Sequence, residues 1–177
     1  MTESPQTDLR SFTLLWRGPF GFEELLRSPD LRAEFSCSGV YLWKEQQGTD
    51  QNIAYIGKAG GSPSLFSRHV QHYMGYVGGS YSIPAEFRSE GSEWSLNVQN
   101  PAVLDTMFDV ERLKRVIEEG FAYVRKLSIY LAPVAASDTH TVERTLLFTL
   151  KPLRTKWGTL SRPSETLNII HAGTFRP

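Results

Sequence analysis

The 177-residue chain predicts a mixed α/β (α+β) domain, and three observations carry that reading. Two apolar, β-prone runs, Val40-Tyr41-Leu42-Trp43 and Asn52-Ile53-Ala54-Tyr55-Ile56-Gly57, flank a polar stretch with turn residues, the pattern of a β-hairpin. Val103, Met107, Val110, Leu113, Val116 and Ile117 recur at helical spacing. Glu143, Leu146, Leu147 and Leu150 fall at i, i+3, i+4 and i+7, which predicts a second amphipathic helix. This length makes one domain with a real core the default.

Taken in order, residues 1–8 are polar and read as a loose tail without the apolar core of a signal peptide. Residues 11–16 read as a strand. Gly18-Pro19 breaks it, and residues 22–35 read as one or two short helices divided at Pro29. Residues 1–38 thus form an N-terminal extension packed on the main domain, residues 39–177. After the hairpin, Gly60-Gly61 marks a turn, Ser62 is the expected cap of the next helix and Pro63 its first residue. Residues 75–100 show little periodicity and read as a surface loop. Its Tyr76, Tyr81, Phe87 and Trp94 could stack on bases or pin the loop to the core. The helix over residues 101–119 should end at Gly120. Together with the loop it forms an insertion, about residues 75–119. Residues 121–132 then read as the third strand of the main domain. Ser137, Asp138 and Thr139 offer capping oxygens for a helix over residues 140–150, which Pro152 stops. The tail ends in a short apolar run, residues 167–170.

Charge and cysteine content narrow the setting. The formal net charge is zero, unusual for a protein that grips DNA. Arg144, Lys151, Arg154, Lys156 and Arg162 nevertheless form a basic stretch suited to phosphate, and residues 86–119 are rich in acid. Ordinary solvated faces are the alternative reading of both. Cys37 is alone, so no internal disulfide can form. No apolar run nears the roughly 20 residues of a membrane helix. The expectation is a protein of the cytoplasm or an equivalent reducing compartment, without membrane contact.

Several side chains stand out chemically. Tyr41 and Tyr55 each lie beside a glycine at the end of a hairpin strand, where antiparallel pairing brings phenols close. Plain cross-strand packing is the simpler reading of either one alone. Arg68 and His72 stand four apart and share a helix face. Glu143 sits on the apolar stripe of its own helix, so a cation, a metal or a donor should face it. A structural ion pair, for instance to Arg68, would also satisfy it. His69 and His72 form an H-x-x-H pair, but no cysteine or third histidine is near enough in sequence to complete a usual zinc set. Residues 57–62 lack the Gly-Lys-Ser/Thr ending that a Walker loop needs.

Gly39-Val40-Tyr41 and Tyr55-Ile56-Gly57, followed by Arg68 and His72 on one helix and Glu143 on a later one, resemble the signature of the GIY-YIG nuclease superfamily. Valine replaces the usual isoleucine of the first triplet. The resemblance spans roughly residues 39–170, and the Arg-x-x-x-His spacing is similar to that of compact restriction-endonuclease-like members. It implies a small domain with a central three-stranded mixed or antiparallel sheet flanked by helices, and a metal-dependent DNA endonuclease activity. By the same resemblance Glu143 holds Mg²⁺ or Mn²⁺, and Tyr41, Tyr55, Arg68 and His72 complete the catalytic set. Lys58 is a candidate for the phosphate. Asn168 is the best match to the family's asparagine, though it lies further along than usual. An oligomer, or the insertion, would help such a compact enzyme grip both strands. Two other readings stay open: a non-catalytic nucleic-acid or protein binding module on the same fold, and a hydrolase of small phosphates.

Overall fold

The hairpin is the centre of the molecule. In the computed structural model, which describes residues 10–47, 50–84, 87–88, 109–154, 167–175 and 177, strands β2 (Gly39–Gln47) and β3 (Asp50–Ala59) pair antiparallel. Tyr41 stands opposite Gly57 and Trp43 opposite Tyr55. The register then shifts, with Ala54 as the extra residue. On its other side β2 pairs antiparallel with β4 (Leu127–Pro133). Strand β1 (Ser11–Phe20) lies antiparallel to β4, and β5 (Asn168–Gly173) runs parallel to β1.

The sheet is therefore five-stranded among the described residues, in the order β3-β2-β4-β1-β5, not three-stranded. Two segments account for the difference. The early strand joins the same sheet instead of merely bracing it, and the apolar tail run becomes an edge strand.

The period-2 alternation of β2 sorts its side chains into two cores. Val40 and Leu42 face Leu14, Trp16 and Ile56, and this side is covered by Val142, Leu146 and Leu147 of helix α5 (Thr139–Leu150). Tyr41 and Trp43 face the opposite side, with Ile129 and Leu131 of β4. That side is covered by Phe22 and Leu25 of α1 (Phe22–Arg27), Leu65 of α3 (Leu65–Val77), and Tyr123 and Val124 of α4 (Val110–Val124). The short α2 (Pro29–Glu34) is capped by Ser28, whose Oγ accepts the Leu31 N–H at 3.2 Å.

Several element boundaries depart from expectation. Gly18-Pro19 does not end the first strand: β1 runs on to Phe20, and its register with β4 shifts between Arg17 and Phe20. Ser64, not Ser62, caps α3, accepting the Ser67 N–H at 3.2 Å. Tertiary docking sets this start, because Leu65 N–H bonds Cys37 O at 2.8 Å and Phe66 N–H bonds Phe35 O at 2.9 Å. Helix α4 runs through Gly120 to Val124, so β4 begins at Leu127 and not at residue 121. A Cβ on Gly120 would press on the Tyr76 carbonyl and lie 3.0 Å from Val77 Cα, so the glycine serves close packing of α4 on α3. At α5, Asp138 makes no side-chain cap bond. It pairs instead with Arg10 at 3.5 Å, while Thr139 Oγ1 donates to Ala136 O at 2.9 Å. The helix ends on Lys151 in the left-handed region at φ 45°, just before Pro152.

The expected helix over residues 101–108, Trp94, Lys156 and Arg162 lie outside the described residues. Among the described ones, no helix is long and apolar enough to cross a membrane.

Candidate active site

Tyr41 is the buried centre of the cluster, at 1 % exposure. Its ring lies across the backbone of its cross-strand partner Gly57. A Cβ there would meet the Tyr41 hydroxyl and approach Cζ to 2.5 Å. The glycine of the second triplet thus makes room for the tyrosine of the first. Across the sheet-facing side of α3, His72 Nε2 lies 2.8 Å from the Tyr41 hydroxyl. Arg68, one turn earlier, and Tyr55 both act electrostatically on the same phenol, while the Arg68 guanidinium donates to Gln71 Oε1 at 3.1 Å. The Tyr41 and Tyr55 rings are 6.0 Å apart.

Electrostatics orient these bonds. Burial pushes the Tyr41 phenol well above its ordinary range, and Tyr55 adds to the rise. Arg68 pulls the other way and loses. Burial also lowers His72 to about 3, with His69 and Arg68 contributing, so its ring is neutral at pH 7. Tyr55 is raised by burial too, while Tyr41 and the Arg68 charge both pull it down. One donor assignment fits all of this. His72 Nε2–H donates to the Tyr41 oxygen. His72 Nδ1 is buried without a hydrogen-bond partner among the described residues. In this tautomer it carries only a lone pair, which is cheaper to leave unpaired than a buried N–H. The half-buried Tyr55 is the more exposed of the two phenols.

His69 is fully buried and lowered to about 4, chiefly by burial. Its Nδ1–H donates to Leu65 O at 2.7 Å, and its Nε2 accepts the Trp43 indole N–H at 3.1 Å. Both ring nitrogens are thus occupied, one within α3 and one against β2, which leaves none for a metal. Tyr76, Tyr81 and Phe87 pack on the protein itself. Tyr76 touches Tyr81 and Tyr123, Tyr81 touches His72, and Phe87 touches Tyr123.

Glu143 approaches from the other layer. Helix α5 covers the opposite face from α3, and the meeting place is β3, the edge strand. Lys58 pairs with Val40 and so points to the α5 side. Its Nζ lies 3.0 Å from Glu143 Oε2 and 2.6 Å from His140 Nδ1. The partner of Glu143 is therefore Lys58 and not Arg68. The Glu143 carboxylate is 18 % exposed, and its charge also acts on Tyr55, raising its pKa.

Asn168 is not brought to this cluster. It opens β5, at the far edge of the sheet from β3, and its Nδ2 donates to Ser11 Oγ at 3.2 Å. Nor does Arg154 serve a phosphate surface. It grips Glu45 through two hydrogen bonds, at 2.9 and 2.8 Å, with Tyr123 as a third contact at 3.3 Å. Glu45 has 0 % exposure. Its inward direction was readable from the i, i+2, i+4 series Tyr41, Trp43, Glu45 on one strand face. His140 was readable as the residue three before Glu143 on the same helix. Among the described residues no three His, Cys, Asp or Glu side chains converge to hold a metal.

The fold and the site define a mixed α/β protein that carries a tyrosine–arginine–histidine cluster at the edge of its sheet. No protein-family model, curated protein or solved structure matches this chain.

Proposed function

We propose that this protein is a divalent-metal-dependent endonuclease that hydrolyses DNA phosphodiester bonds on the GIY-YIG plan. The observation that carries the reading is the position of Tyr55. It is a half-buried phenol on the edge strand, its ring 6.0 Å from that of Tyr41, which His72 contacts at 2.8 Å, and its strand also carries Lys58, paired with Glu143 at 3.0 Å. Phosphoryl transfer to water needs positive charge at the phosphate and, for a metal, a carboxylate to hold it. A guanidinium and an acid on opposite faces of the sheet can serve only by meeting at its β3 edge, and that placement weighs against the reading.

The donor set fits a hard cation. Glu143 offers carboxylate oxygen, and a positive charge, the Lys58 ammonium, already sits 3.0 Å from it. Mg²⁺ and Mn²⁺ accept a single protein carboxylate when water and phosphate supply the remaining oxygens. Held by Glu143, such an ion would neutralise the phosphate and stabilise the leaving oxygen. Arg68 donates to the non-bridging oxygens and stabilises the charge that grows on them. Tyr55 accepts a hydrogen bond from the attacking water and orients it in line. Tyr41 packs beside Tyr55, and His72 holds Tyr41. Lys58, released from Glu143, supplies a further cation for the phosphate.

A second reading has one observation in its favour. The Lys58–Glu143 pair is already neutral, which suits a non-catalytic binding module on the same fold. A plasmid-nicking assay with Mg²⁺ or Mn²⁺ separates the two. The nuclease should nick, and Glu143→Gln, Arg68→Ala and Tyr55→Phe should each lower the rate by roughly 10²–10³-fold, the loss typical when a transition-state contact is removed. Absence of cleavage on duplex, branched, single-stranded and modified DNA would favour the binding module. Cleavage indifferent to Glu143→Gln would rule out this site.

A further inference from the structure

Two donors of α5 and one lysine of β3 converge on a single point. His140 and Glu143 are three apart, so they share a face of the helix. The Lys58 Nζ atom lies 2.6 Å from His140 Nδ1 and 3.0 Å from Glu143 Oε2. Both donors therefore aim at a place where a cation is held. A lysine ammonium can only donate, so the His140 Nδ1 that faces it bears the lone pair. That is the form in which imidazole ligates a metal. His140 is exposed and Glu143 only 18 % exposed, so one side of the point opens to solvent and the other rests on protein.

We propose that His140 Nδ1 is the second protein ligand of the divalent ion held by Glu143, and that the site accordingly prefers Mn²⁺ or Co²⁺ to Mg²⁺. The inference rests on the nuclease reading for the site's purpose, but not for its chemistry. A carboxylate alone gives little discrimination among hard cations, whereas an imidazole nitrogen favours the transition metals. Lys58 and the ion compete for one place. Metal entry therefore frees the ammonium at the edge of β3, on the strand that carries Tyr55.

The test is metal binding without DNA. Purified protein is titrated with Mn²⁺, the free ion being followed by its paramagnetic resonance signal, and in parallel with Mg²⁺ by calorimetry. Circular dichroism melts check that each variant folds. The expected result is one Mn²⁺ per chain, bound at least 10-fold more tightly than Mg²⁺. His140→Ala should weaken Mn²⁺ by about 10- to 100-fold, the loss usual for disturbed metal shells, and Mg²⁺ by no more than about 2-fold. Glu143→Gln should weaken both ions, and Lys58→Met should tighten both. Mn²⁺ affinity unchanged in folded His140→Ala overturns the proposal, as does equal affinity of the native protein for Mn²⁺ and Mg²⁺. The outcomes separate from those of the nicking assay. Mn²⁺ held through His140 without any DNA cleavage keeps the metal site and discards the nuclease. Cleavage that needs Glu143, with Mn²⁺ affinity indifferent to His140→Ala, keeps the nuclease and discards this ligand.

Discussion

Gly57 is the residue on which the phenol pair depends. Its Cα faces the Tyr41 ring, and a methyl group there would overlap the hydroxyl end of that ring. Gly57→Ala must either tilt Tyr41 or push β3 outward. Overpacking of this kind costs roughly 1–3 kcal/mol. Either movement also breaks the 2.8 Å contact with His72. Urea denaturation should record the stability loss, and nicking activity should fall further than the folded fraction does. An alanine variant with native rate would show that the phenol geometry is irrelevant to function. Glu45 sets a second test at this scale. The carboxylate is wholly buried and held bidentately by Arg154. Arg154→Met strips that partner from a charge already out of water, which typically costs about 3–5 kcal/mol. Glu45→Gln combined with Arg154→Met should recover much of the loss, because no buried charge then remains. Equal destabilisation in the single and double variants would mean that packing, not charge, dominates there.

Helix α4 shows how an element can overrule its own composition. Gly120 is the expected terminator, yet the helix continues for four more residues because Tyr123 and Val124 gain burial against the sheet. The glycine is needed where α4 crosses α3, its Cα close to the Tyr76 carbonyl and the Val77 backbone. Two effects of opposite sign meet in Gly120→Ala. Helix propensity gains about 1 kcal/mol. The clash is with backbone, which cannot rotate away, and overpacking costs about 1–3 kcal/mol. The clash should win, and the variant should melt below the native protein. A higher melting temperature would mean that the two helices part freely. The hairpin and α5 were legible at this scale, since alternation and the i, i+3, i+4 pattern are local signals. The start of α3 was not, because its first amides bond to carbonyls of the α2–β2 connection.

Across the whole molecule, two layers meet at one edge of the sheet. Arg68 and Glu143 come from opposite faces and both act on Tyr55, because among the described residues β3 has no further strand beside it. After α5 the chain returns along that edge, with Leu153 N–H on Ile53 O at 2.9 Å and Arg154 N–H on Ala54 O at 3.0 Å. The buried histidines make this assembly acid-sensitive. His69 and His72 fall from 6.5 to about 4 and about 3, so the folded state keeps them neutral while the unfolded chain protonates them below pH 6.5. Their contribution is complete above that pH and drains away as the pH falls toward the folded values. From pH 7 to pH 5 each should forfeit about 2 kcal/mol. Chemical denaturation at the two pH values measures this, and His69→Gln should flatten the dependence. A stability independent of pH over that interval would mean that the rings are not buried as described.

Local pattern by itself determined the hairpin, the Arg68–His72 face, the apolar stripe of α5 and the absence of an internal disulfide. Each is set within a few residues by strand alternation, helix pitch or simple count. Only the tertiary structure decided the strand order, and with it the fate of three side chains. Asn168 went to the far edge because β5 pairs with β1. Arg154 went to Glu45, and Glu143 went to Lys58. These pairings join residues far apart in the chain. They are selected by which apolar faces bury each other best, and that depends on the whole chain at once.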